Sequence, residues 1–196
     1  MRKKIDIVGD HNFKFKGLPQ YNIKSHINTK ILEIVTSLGI KVYWSYAELA
    51  SVTGSLDPFV SMCAGFYDSV NDFIAMNENA SQNHNLVLLH EIGHWSGHSS
   101  RLARSAIILK DGFNKPISHN TSPNYFALYH NEEGIAQYCM YYLALALNID
   151  INEAHVFLKT YNNSYGLIDD AYCAREGLKA AEYILKLAGI QELVAA

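Results

Sequence analysis

The 196 residues and 22.0 kDa of this chain fit one domain with a sizeable core. Hydrophobic residues at 49% and charged residues at 18% exclude a disordered chain, and three cysteines without paired spacing (Cys63, Cys139, Cys173) exclude a zinc knuckle or a disulfide framework. The net charge of −3 is uneven: residues 1–30 carry seven Lys/Arg against Asp6 and Asp10, which leaves −8 on the remainder and describes a basic N-terminal arm on an acidic body.

Taken in chain order, Met1 to Gly17 has the basic start of a signal peptide without its apolar stretch, and no run approaches the roughly 18 apolar residues of a membrane span. A cytoplasmic protein without membrane partners is expected. Residues 24–38 place Ile27, Ile31, Ile34, Val35 and Leu38 at helical spacing, with Gly39 as the stop. Residues 40–44 read as a short strand, and 45–61 as a loop or short helix broken by Gly54 and Pro58. Two β-type runs flank a polar turn from Asp68 to Asp72, so 63–77 is read as a hairpin whose second strand ends at Met76. A helix follows over 82–97, then a loop-like stretch over 99–121 with Ile107 to Leu109 as an ordered spot. Ser122-Pro123 is a cap and first-turn pair that opens a long apolar helix to about Leu147. Helices near 151–162 and 169–188 close an α+β chain with a small, mostly antiparallel sheet packed on a central helix and followed by further C-terminal helices.

The helix over 82–97 carries His90-Glu91-Ile92-Gly93-His94, an H-E-x-x-H motif. At 3.6 residues per turn, positions i and i+4 lie about 40° apart, so both imidazoles lean from one face toward one ion. Glu91 falls about 100° from the first histidine and about 60° from the second, near enough to hold a water without ligating. This is the pattern of zinc peptidases, with Glu91 as the base. Leu86 to Leu89 anchor the helix in a core, and Gly93 puts no side chain between the histidines.

A third ligand is required. Metzincins place a histidine ten residues after the first, but that position is Ser100; His98 follows Gly97, which ends the helix. Gluzincins use a glutamate on a following helix. Glu133 has Gln137 four residues on to orient a ligating histidine, and Ala136 is small enough to let two helices approach. Glu132 is four residues before Ala136, which can orient nothing. The metal set is therefore His90, His94 and Glu133, with Gln137 behind it. Zinc is the expected ion and manganese the second choice.

Leu88 to Arg104 (LLHEIGHWSGHSSRLAR) resembles the metallopeptidase domain of the ArdC antirestriction proteins, as does Glu132 to Gln137, which matches the family's E-E-x-x-A-E helix except for Gln137. Residues 64–77 and 179–185 are similar to the family's hairpin and closing helix, so the resemblance covers about 31–188. More distantly the chain looks like the ImmA/IrrE peptidases and the polyvalent proteins of phages and plasmids. The resemblance implies a zincin-like fold, a divalent metal, and a role toward incoming mobile DNA or host defence in a bacterial cytoplasm; with the length it gives one domain over 1–196, in which the basic arm 1–30 matches nothing in the family. The family's N-terminal single-strand DNA-binding domain has no counterpart in this sequence, so nucleic-acid contact rests on the basic arm alone.

Three function classes follow. In the first, a protein or peptide substrate adds to an edge strand, for which Phe73, Ile74 and Ala75 are the choice, and an oxyanion donor completes the site: His155, which stands near a family histidine, or Tyr161 or Tyr165. In the second, an antirestriction protein acts by protein or nucleic-acid contact and its metal is structural. A metal-free helical interaction module, the third option, requires the motif to be accidental.

Overall fold

A computed structural model describes residues 22–54, 63–104, 123–164 and 169–190, with the backbone alone for 123–127 and 161–164. The first predicted helix is divided. A 3-10 turn (Ile23–His26) is followed by extended Ile27, and Asn28 then caps α1 (Thr29–Ser37), its side chain accepting from Lys30 N at 3.0 Å. Asn28 N also donates to Asn85 Oδ1 at 2.9 Å, which ties the start of α1 to the motif helix. After β1 (Lys41–Tyr43) come α2 (Tyr46–Thr53) and the expected hairpin, β2 (Gly65–Asp68) and β3 (Phe73–Met76). Asp68 Oδ1 accepts from Val70 N and Asn71 N to make the turn, and Asp72 closes it at φ 51°, a left-handed conformation that aspartate tolerates better than most residues.

The helical part is α3 (His84–Ser96), α4 (Pro123–Leu147), α5 (Ile151–Ser164) and α6 (Asp170–Leu187). Pro123 opens α4 as expected. Ser122 and Ile107 to Leu109 lie outside the described residues. The fold is α+β, and no helix among the described residues is long and apolar enough to cross a membrane.

The sheet is small and mixed, in the order β1-β3-β2, with β1 parallel and β2 antiparallel to β3. This corrects the expectation that Phe73, Ile74 and Ala75 form an edge. β3 is the central strand, its main-chain groups are paired on both sides, and all three residues are buried. A four-residue apolar run without alternation is what a strand covered on both faces requires. Side chains alternate accordingly. Ile74 and Met76 join the main core with α3, whereas Phe73 and Ala75 pack with Tyr43, Tyr46 and Leu49.

α3 is buried on every side from Leu86 to Ser96. Leu86, Leu88, Leu89 and Ile92 are fully enclosed, each stabilising the fold by about 1.5–3 kcal/mol. α3 and α6 both pack on α4. At the α3–α4 crossing, a Cβ on Gly93 would sit 3.0 Å from Ala136 Cα and 3.1 Å from Ala136 O, so the helices meet backbone to backbone. Gly93 thus serves close approach of the second helix.

Candidate metal centre

That approach brings Glu133 beneath the two motif histidines. His90 Nε2 and His94 Nε2 are 3.1 Å apart, and Glu133 oxygens lie 3.4 Å from His90 Nε2 and 3.5 Å from His94 Nε2. A tetrahedral ion with bonds of about 2.0–2.1 Å separates its ligands by about 3.3–3.4 Å, so the two nitrogens and the carboxylate, one oxygen toward each, stand at the spacing of such a coordination sphere. Among the described residues this is the cluster able to hold a metal.

The outward ring nitrogens are each held. His90 Nδ1 is 2.9 Å from Gln137 Oε1, and His94 Nδ1 is 3.1 Å from Glu132 Oε1. Carbonyl and carboxylate oxygens only accept, so each Nδ1 carries a proton, and each Nε2 is left as the atom that would turn a lone pair to a bound ion. Charge agrees with this arrangement. Burial disfavours a charged His94, but the Glu133 and Glu132 carboxylates override it and push the imidazole up to about 10. Burial likewise works against ionised Glu133, which His94 and His90 hold well below the usual carboxylate range. The pocket is built to hold positive charge between these three groups, and a divalent cation meets that demand.

Glu91 is buried and lies toward the hairpin: a Cβ on Gly65 would sit 3.3 Å from Glu91 Cγ and 2.9 Å from Val87 Cγ1. Strand β2 therefore runs beside α3 at the level of Glu91, and it is β2 that forms the sheet edge on this side. Cys63, just before β2, has its thiol pushed up by burial and then by the Glu91 and Glu133 carboxylates, which places it on the same side.

Sequence reasoning passed over Glu132 and Arg104. Glu132 is buried; burial would raise its pKa, but Arg104 overrides this and keeps it below the ordinary range. Arg104 Nε and Nη2 grip the two carboxylate oxygens at 2.8 and 2.7 Å. Loss of either partner would leave a buried charge, at a cost of about 3–5 kcal/mol. Consecutive glutamates on a buried helix were the available signal, since side chains about 100° apart can reach two different atoms of one site.

Two other residues, His98 and His155, are not brought to the triad. His98 bonds Ser100 Oγ in the turn after α3. His155 is exposed on α5 and packs on Tyr141, eight residues or about 12 Å along α4 from Glu133, which removes it as a neighbour of the metal atoms. Tyr165 and the side chain of Tyr161 lie outside the described residues.

The turn after α3 holds one strained residue, Ala103 at φ 52°. Ala103→Gly relieves about 1–2 kcal/mol of left-handed strain and loses about 0.5–1 kcal/mol to unfolded-chain entropy. A small net gain in stability is expected from urea unfolding.

An H-E-x-x-H helix with a glutamate from the next helix is the gluzincin type of metal motif, on an α+β fold of the zincin kind. No family model and no curated protein matches the chain. A solved structure does: the metal-free crystal structure of the antirestriction ArdC protein from the R388 plasmid, with a TM-score of 0.50 and 20% identity over 90% of this chain. The two proteins share a fold, and this chain spans 58% of the ArdC chain.

Proposed function

We propose that this protein is an antirestriction-type factor built around a divalent-metal centre, zinc first and manganese second, and that the centre hydrolyses a peptide bond in a protein substrate. The observation that carries the proposal is the cluster of His90, His94 and the Glu133 carboxylate with Glu91 beside it, outside the ligand set. A divalent ion, when bound, supplies Lewis acidity and an acidified water. Glu91 is the carboxylate to take the proton and later return it to the leaving amine. The free edge of β2 can bind an extended chain by its main-chain groups, in place of β3.

A second reading is supported by the fold match, since the matched protein is described as antirestriction, and by the depth of the centre, where the Glu133 side chain is 14% exposed. Here the metal holds α3 to α4, and the protein acts by contact with a protein or nucleic acid.

Glu91→Gln separates the two. Metal content at wild-type level, with cleavage of a trapped substrate lowered by about a hundredfold or more, is expected if Glu91 is a base. Antirestriction activity unchanged by Glu91→Gln would overturn hydrolysis and leave the contact reading.

A further inference from the structure

Arg104 ligates nothing and stands outside the motif, yet several parts of the centre converge on it. Besides both oxygens of Glu132, its guanidinium donates to Ser96 Oγ at 2.9 Å and to Gly93 O at 2.6 Å. Glu132 Oε1 in turn faces His94 Nδ1. The contacts close a circuit: the carbonyl preceding His94, the guanidinium, the carboxylate, and the His94 ring itself. A glutamate side chain has three rotatable bonds, and this circuit ties its oxygen to the backbone of the helix that bears the ligand. The His90 side is not braced in this way, because Gln137 Nε2 is buried with no hydrogen-bond partner among the described residues.

The chain delivers Arg104 by a tight return after α3. Leu102 N bonds Ser96 O, Ala103 N bonds His98 O, and Arg104 N bonds Gly97 O at 2.9 Å. Gly97 ends α3 at φ −81°, a value open to any residue. Its need for glycine is spatial, since a Cβ would stand 2.7–2.9 Å from the Arg104 guanidinium. Arg101 belongs to the same turn but faces elsewhere: it grips Asp72, donates to Tyr67 OH and to Trp95 O, and stacks on the Trp95 ring at 4.0 Å.

We propose that Arg104 is a positioning residue for the metal centre, acting through Glu132 to fix the tautomer and direction of the His94 ring. The inference rests on reading the triad as a divalent-metal site. A bidentate fork matters here, and lysine, a point charge, cannot replace it. Gly97→Ala keeps every polar group and displaces the fork alone.

The test is Zn2+ affinity by chelator competition, with the visible spectrum of the Co2+ form, for wild type, Glu133→Ala, Arg104→Lys, Gly97→Ala and Arg101→Gln, each shown folded by circular dichroism. Arg104→Lys and Gly97→Ala are expected to weaken Zn2+ by roughly 10–100-fold and to shift the Co2+ bands. Arg101→Gln, which loosens the same turn, should stay within about threefold of wild type. Wild-type affinity and spectra in both Arg104→Lys and Gly97→Ala, or an equal loss in Arg101→Gln, overturn the positioning role. That result leaves the metal site intact so long as wild type binds and Glu133→Ala does not. No binding by wild type overturns both.

Discussion

Glu133→Ala is expected to lower zinc affinity well beyond the roughly 10–100-fold that loss of an outer hydrogen-bond partner costs, because it removes a ligand and leaves two histidines on one helix. It also changes the proton balance of binding. In the metal-free protein, burial opposes a proton on His94, while Glu133 and Glu132 together raise its pKa from the ordinary 6.5 to about 10. A group raised in this way contributes stability that is fully present below about pH 6.5 and is lost as pH rises through about 10. At neutral pH the ion must therefore displace that proton. Wild-type zinc affinity should climb between pH 6 and 8, with release of about one proton per ion. Removing Glu133 takes away the principal raising group, so the variant's weak residual binding should depend less on pH. Calorimetry in two buffers of different ionisation enthalpy reads both effects. Proton release equal in wild type and Glu133→Ala would show that Glu133 does not set the charge of this pocket.

Why Glu133 could be read from the sequence, and Glu132 could not, is a matter of range. His90, Glu91 and His94 lie within five residues, and helix periodicity alone fixes their common face. Glu133 followed from the same rule applied to a second helix, with Gln137 one turn on. Ala136 was assigned correctly as the small residue of the crossing, but its partner, Gly93, is identified only by the structure. The pairing of Glu132 with Arg104 spans 28 residues, and the loop-like sequence before Ser122 offers no periodicity to fix its path. Strand order failed for a related reason. The β2–β3 hairpin is local and was legible, but β1 arrives from about 30 residues upstream to pair with the other side of β3. Local alternation cannot report a neighbour of that kind; the unbroken apolar run Phe73 to Met76 was the trace it left.

A large loss of fold stability from a change that removes no polar contact is expected at Gly177, on the face of α6 that meets α4. A Cβ there would stand 2.5 Å from Tyr138 Cβ and 2.9 Å from both Cys139 N and Ile135 O. Two of those atoms are backbone within α4, so no rotamer change can relieve the overlap. Gly177→Ala sets about 1 kcal/mol of gained helix propensity against an overpacking cost of about 1–3 kcal/mol. Gly177→Val adds bulk with little of that propensity gain, and a destabilisation of about 3 kcal/mol is expected, a fall of roughly 6–12 °C in Tm for a chain of this size. The metal centre provides a second readout, because Glu132 and Glu133 lie on α4 just before Ile135. α4 is held on its α3 side by the Gly93–Ala136 contact and by the grip of Arg104 on Glu132. α6 is tied to α4 by Tyr138 OH to Asp170 Oδ1 and by Cys173 Sγ to Asn131 O, contacts without the charged fork that holds the α3 side, and should take up the displacement. Zinc affinity of Gly177→Val should then stay within about threefold of wild type while the melting temperature falls. A tenfold or greater loss of affinity would show instead that α4 moves, and that the geometry of the triad depends on packing at a helix that contributes no ligand.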